Sequence, residues 1–126
     1  SGDLGLTLWS SPQEGELGYI SNNNTLDKAI ATDPEKTKIY GAVTSSGSIV
    51  SYGPLKVLFE PALTLSPNDS IFLSASMPGR ATNIAPQNSG EVIKLIGFLR
   101  DNTDYNNVSG SALLIMFRPE PAILIP

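Results

Sequence analysis

The side chains with the greatest chemical reach in this chain are 12 Asp and Glu residues, and they work without any His or Cys beside them. Lack of imidazole removes the usual general base, the proton shuttle and the commonest metal ligand. Ser–His–Asp triads and His-based metalloprotease sites are therefore excluded. Lack of thiols excludes disulfides, thiolate nucleophiles, iron–sulfur clusters and Cys-based zinc sites. Two carboxylates alone suffice to hydrolyse a glycoside. Here, however, the acids sit in turn-like settings, Pro12-Gln13-Glu14-Gly15-Glu16, Asp33-Pro34-Glu35 and Asn68-Asp69, where solvation or capping accounts for them. No catalytic residue is assigned, and the chain is expected not to be an enzyme.

Residues 101–107 place Asn102, Asp104 and Asn106 at alternating positions, a spacing that can turn several oxygens toward one cation. An EF-hand loop would need Gly at its sixth position and Glu at its twelfth, where this chain has Asn107 and Leu113. A polar hairpin tip is the expectation, with no metal and no cofactor. Gly41-Ala42-Val43 and Gly47-Ser48 lack the further Gly and the Lys of a phosphate-cradling loop. Asn23-Asn24-Thr25, Asn68-Asp69-Ser70 and Asn107-Val108-Ser109 match the glycosylation acceptor pattern and mark exposed turns whatever the host. Trp9 and Tyr105 are the aromatic residues expected at the surface, where a ring can stack on a sugar. With Asp104 and Asn106 they form the candidate ligand-binding set.

A formal charge of −4 and a pI near 4.6 argue against a surface that tracks phosphates, since nucleic-acid affinity rests on clustered Lys and Arg. The nearest thing to a basic run is Lys36-Thr37-Lys38. The apolar stretch over residues 112–117 ends at Arg118-Pro119-Glu120-Pro121 and is too short to cross a bilayer. Ser1-Gly2-Asp3 carries no charged segment followed by an apolar one, so no signal peptide is visible. A soluble chain with neither nucleic-acid binding nor membrane insertion is expected.

Some set of elements must position these groups. Of 126 residues 40% are hydrophobic, enough for one β-domain over residues 1–126, and 11 Gly and 10 Pro supply frequent punctuation. Short apolar or alternating runs bounded by turn residues predict strands over 4–9, 18–21, 38–44, 48–51, 55–60, 70–75, 92–99, 112–117 and 122–125. Ser45-Ser46-Gly47, Ser66-Pro67-Asn68-Asp69 and Met77-Pro78-Gly79 carry turn chemistry. One short helix is predicted over 26–31, with Thr25 as N-cap and Asp33-Pro34 as its stop. The expected fold is all-β, a small barrel or sandwich with at most one short helix.

The strands also repeat. Gly18-Tyr19-Ile20-Ser21 matches Ile71-Phe72-Leu73-Ser74, and residues 38–43 match 94–99 with Gly41 falling on Gly97. Residues 53–61 match 110–119, with the Phe-x-Pro ends at Pro61 and Pro119 superposed. Two related halves, about 14–66 and 67–126, are expected to pack on each other, because neither could close a core alone. Gly41 and Gly97 are read as structural, a bulge or close backbone approach inside an apolar strand.

Residues 68–82, then Ala85-Pro86, then residues 89–99 resemble a module of tailed-bacteriophage virion proteins. A Leu-Ser-Ala strand, a turn, an Ala-Pro and a strand ending in Ile-Gly follow one another in tail-fibre, appendage and capsid-decoration sequences. The resemblance implies a β-rich, non-catalytic virion surface protein, either a capsid decoration (cement) protein or a tail-appendage module. It further implies a homotrimer bound to the major capsid protein or tail proteins. The alternative is a receptor- or carbohydrate-binding head meeting a host-surface glycan through loops at 22–24, 82–87 and 101–107.

Overall fold

A tight hairpin near the start of the chain sets the pattern for the rest. In the computed structural model, which describes residues 5–126, β1 (Leu17–Asn22) turns through Asn23-Asn24 into β2 (Thr25–Lys28). Asn24 has φ +53°, a left-handed conformation that Asn tolerates, and the Asn22 side chain accepts a hydrogen bond from the Asn23 amide. Pairing of β2 with β1 places Leu26 in the interior, 2% exposed. The helix expected over 26–31 is thus replaced by a strand. Six residues give too few turns to offset helix nucleation, whereas the hairpin closes at once and buries the same leucine. Asp33-Pro34, expected to stop that helix, instead starts a single 3-10 turn (Pro34–Thr37), with the Asp33 carboxylate accepting from the Glu35 amide.

Beyond the turn, β3 (Ile39–Val43) pairs with β1, and β4 (Ile49–Val50) pairs with β3 across the Ser45-Ser46-Gly47 turn. The first sheet therefore runs β2-β1-β3-β4. Residues 4–9, expected as a full strand, contribute one bridge, Thr7 to Thr25, along the outer edge of β2; Leu4 lies outside the described residues.

The second sheet is built from β5 (Gly53–Leu58), β6 (Ser70–Leu73), β7 (Ala81–Thr82), β9 (Leu95–Leu99) and β10 (Ala112–Phe117), in the order β5-β10-β9-β6-β7. A two-stranded ribbon joins β8 (Val92–Ile93) to β11 (Ile123–Leu124). The single strand expected over 92–99 divides at Lys94. The Val92 amide donates to the Ala31 carbonyl, and the Lys94 carbonyl accepts from Leu73, so the chain changes neighbours at that residue. Among the described residues all strand ladders are antiparallel and none of the sheets closes into a barrel.

The two larger sheets share one interior. Leu17 and Ala42 from the first meet Val57, Ile71, Leu73, Ile96, Leu99 and Ile115 from the second, around Phe59. Along β10 the burial alternates, Leu113, Ile115 and Phe117 inward, as the two-residue period of a strand requires. Gly15 joins the sheets: its amide donates to Val43 and its carbonyl accepts from Leu58. A β-carbon there, at φ +89°, would strike the β5 backbone.

The matched segments have corresponding registers. Leu17, Gly18 and Tyr19 of β1 pair with Ala42, Gly41 and Ile39 of β3, and Ser70, Ile71 and Phe72 of β6 pair with Phe98, Gly97 and Leu95 of β9. Apart from Leu17 and Ser70, each one residue before the matched segments, these are the residues that the repeat sets on one another. Even the irregularity falls at the same place, between Gly18 and Tyr19 and between Ile71 and Phe72. The third match behaves differently. The place that β10 takes beside β9 is taken beside β3 by β4, while β5 leaves the first sheet and pairs with β10 along its whole length.

Candidate functional site

Of the four residues proposed to bind a ligand, three lie on one loop and the fourth lies on another face. The loop 101–110 is held by its own polar groups. Asn106 accepts from the amides of Val108 and Ser109, and its amide donates to the Ser111 hydroxyl. Tyr105, expected at the surface, is half-buried against the core. Its hydroxyl donates to the Glu60 carbonyl at 2.6 Å and accepts from the Leu63 amide at 2.9 Å. It pins the 101–110 loop to the segment that follows β5. Asp104 remains exposed and lines a hollow of about 140 Å³ with Asp101 and Lys56.

Hydrogen bonds from the Thr103 hydroxyl and amide hold the Asp101 carboxyl below its ordinary value. That carboxylate is spent on organising the turn.

Trp9 sits over Gly18, the ring so close that a β-carbon there would lie 2.7 Å from it. Its indole N–H donates to Glu16 Oε1 at 2.9 Å. Glu16 is 3% exposed, also accepts from the Gln13 amide, and pairs with Lys28 Nζ at 3.1 Å. Trp9 is thereby a clamp on the first sheet, whereas Tyr105 is anchored at Glu60 and Leu63. Of the structural set, Gly41 and Gly97 each face a carbonyl of the next strand, Val50 and Met116 respectively. Pro61 is half-buried and Pro119 exposed, each two residues beyond a buried phenylalanine, Phe59 or Phe117.

The loop 82–87 does form a cleft. Ser76, Thr82, Gln87, Asn88, Glu60 and Glu91 supply polar groups around about 350 Å³. Glu60 accepts from the hydroxyls of Ser74 and Ser76, and Glu91 accepts from the amide and side chain of Asn88. The two carboxylates thus have local structural partners.

A second surface was not singled out from the sequence. The ribbon of β8 and β11 presents Ile93, Leu95, Pro121 and Ile123 around a groove of about 400 Å³, with Glu120 at its margin. Ile123 is 61% exposed and Leu124 54%, so both sides of this two-residue strand meet solvent. Lys94 donates to the Glu120 carbonyl, and partial burial lowers its pKa, opposed by the nearby Glu120 charge. The available signal was the apolar run 122–125 between Pro121 and Pro126, since prolines flank edge strands and not central ones.

Among the described residues no group of three or more Asp or Glu side chains is arranged to hold a metal ion, and no helix is long and apolar enough to cross a membrane. Comparison with protein-family models, with curated proteins and with solved structures gives no significant match to this chain.

Proposed function

We propose that this protein is a non-catalytic structural module of a phage virion surface, a capsid decoration or tail-appendage protein that works by binding other virion proteins and copies of itself. The observation that carries the binding role is the apolar groove beside the β8–β11 ribbon, where exposed Pro121 and Ile123 meet half-buried Ile93 and Leu95, with exposed Leu124 on the other side of the same strand. Apolar side chains gathered at one place on a surface mark interaction sites, whereas single exposed ones do not. The outward side of β10 supports the same reading, since Leu114 and Met116 stand where a solvated sheet face would carry polar residues. The acids Glu16, Asp33, Asp69 and Asp101 serve as ion-pair partner or turn caps, which fits a scaffold better than an acid–base site. The assignment to a virion rests on the sequence resemblance over residues 68–99.

Undecorated capsids mixed with the protein should take it up in fixed stoichiometry. Ile123→Asp with Leu124→Asp should lower that uptake at least tenfold while leaving the thermal midpoint within a few degrees. Absence of uptake by the unaltered protein removes the cement assignment.

A second reading, a glycan-binding head, is favoured by the polar cleft of loop 82–87 alone. Glycan binding that is lost on Gln87→Ala and Asn88→Ala, with capsid uptake absent, would select it.

A further inference from the structure

We propose that residues 5–9 are an exchangeable strand, seated on β2 of their own chain in the isolated protein and on β2 of a neighbouring copy in an assembly. The inference deepens the self-association part of the reading above and does not depend on which particle carries the protein.

The seat is specific to this segment. Thr7 donates from its amide to the Asn24 carbonyl at 2.7 Å and accepts from the Leu26 amide at 2.8 Å, which extends the first sheet past its edge strand. Two residues on, Trp9 occupies the space over Gly18 that any side chain there would fill, and reaches the buried Glu16 carboxylate. Backbone pairing fixes register, and the indole recognises one place on the sheet. This is how an extended segment is bound at a sheet edge. The occupant that fits is therefore residues 5–9 of the same sequence, whichever chain supplies them.

What links the segment to the body favours exchange. The Trp9 indole and the Gln13 amide both donate to Glu16 Oε1, which ties both ends of the Ser10-Ser11-Pro12 link to one oxygen atom, and the backbone bends at Ser10 and Ser11. To do so Ser11 takes φ +52°, left-handed and uncommon for a residue with a β-carbon. It also precedes Pro12, whose ring pushes the preceding residue toward extended backbone. A short hinge under strain invites swapping, because opening it relieves the strain while every contact of the segment is remade in the neighbour. Opened, residues 10–12 span at most roughly 10–11 Å, so the neighbour that receives residues 5–9 must lie in close contact with the donor. Each copy gives its segment to the next, and closure of the ring leaves every β2 edge paired.

The absence of Cys makes the test direct. Thr7 and Thr25 are exposed bridge partners, so Thr7→Cys and Thr25→Cys should both fold. One variant, isotopically labelled, is mixed with the other, unfolded in urea, refolded together at high concentration and oxidised. Peptide mass mapping then reads which chains are joined, and sedimentation of the unaltered protein reads self-association. Exchange predicts a disulfide between position 7 of one chain and position 25 of the other, confined to the assembled fraction. A Gly-Ser-Gly-Ser insertion after Ser10 should weaken assembly roughly tenfold by relaxing the hinge. If the protein self-associates but the mixed variants form no disulfide between positions 7 and 25 in the assembled fraction, exchange is wrong and self-association stands. If the protein stays monomeric from micromolar to millimolar concentration, both fall.

Discussion

Gly97 lies against the carbonyl group of Met116 so closely that no β-carbon fits between β9 and β10, and its φ of +152° is one that side chains rarely adopt. Gly41 faces the carbonyl of Val50 in the corresponding register. Two things differ: Gly41 does not have a positive φ, and the strand each glycine faces is held differently. β10 is held between β5 and β9, whereas β4 is a two-residue edge strand able to move aside. Gly97→Ala should therefore cost about 3 kcal/mol or more and Gly41→Ala about 1–2 kcal/mol. Urea denaturation of the two variants measures the difference, and equal losses would contradict this account.

Glu16 is the hub of the first sheet's outer corner. Glu16→Ala leaves Lys28, the Gln13 amide and the Trp9 indole without their acceptor, and should cost about 3 kcal/mol. Lys28→Ala should cost about 1 kcal/mol, because the Lys28 side chain is 38% exposed and water screens its half of the pair. Thermal melts of both variants at one salt concentration test the asymmetry.

Tyr105→Phe removes a single oxygen and strands two backbone groups, the Leu63 amide and the Glu60 carbonyl. A loss of about 1–3 kcal/mol is expected. Asp104→Ala, on the same loop but exposed, should change stability by no more than about 0.5 kcal/mol. Any effect of Asp104→Ala on glycan or partner binding would then report recognition directly, while an effect of Tyr105→Phe would have to be corrected for unfolding.

The Asp101 carboxyl, held low by the Thr103 hydroxyl first and its amide second, should titrate below 3.8 by NMR. Since the folded value lies below the unfolded one, its contribution is complete above the unfolded value and disappears as pH falls through the folded one. Thr103→Val removes the hydroxyl bond, keeps the amide bond, and should raise the titration midpoint toward 3.8. Lys94 gives the same sign of slope in an alkaline window, because here it is the charged form that folding disfavours. Burial lowers its folded value, so the folded chain binds fewer protons just below 10.5 and stability rises with pH through that window. Lys94→Met should remove that rise.

Residue type and period fixed much of the architecture in advance. The two-residue alternation of Leu113, Ile115 and Phe117, the continuous runs at 39–43 and 70–73, and the turns at Ser45-Ser46-Gly47 and Ser66-Pro67-Asn68-Asp69 are local properties that any sheet must respect. They are why an all-β chain was legible, and why Gly41 and Gly97 could be picked out as close-approach positions. The error over 26–31 is of the same local kind. A Thr cap and a Pro stop describe helix ends, but they do not say whether Asn23-Asn24 will first fold the segment back as a strand.

Which strand lies beside which is another matter, because hydrogen bonds between strands join residues far apart and the same apolar face satisfies more than one neighbour. Only the tertiary structure decided that β5 pairs with β10 and not with its own half, and that residues 92–99 divide at Lys94 between two sheets. It alone turned Tyr105 inward onto Glu60 and Leu63 while leaving Ile123 and Leu124 in solvent. The sequence by itself determined the kind of surface each strand carries; burial belongs to the packed assembly of strands, which gives the Tyr105 hydroxyl two backbone partners beside the core and leaves Ile123 on a two-residue strand in solvent.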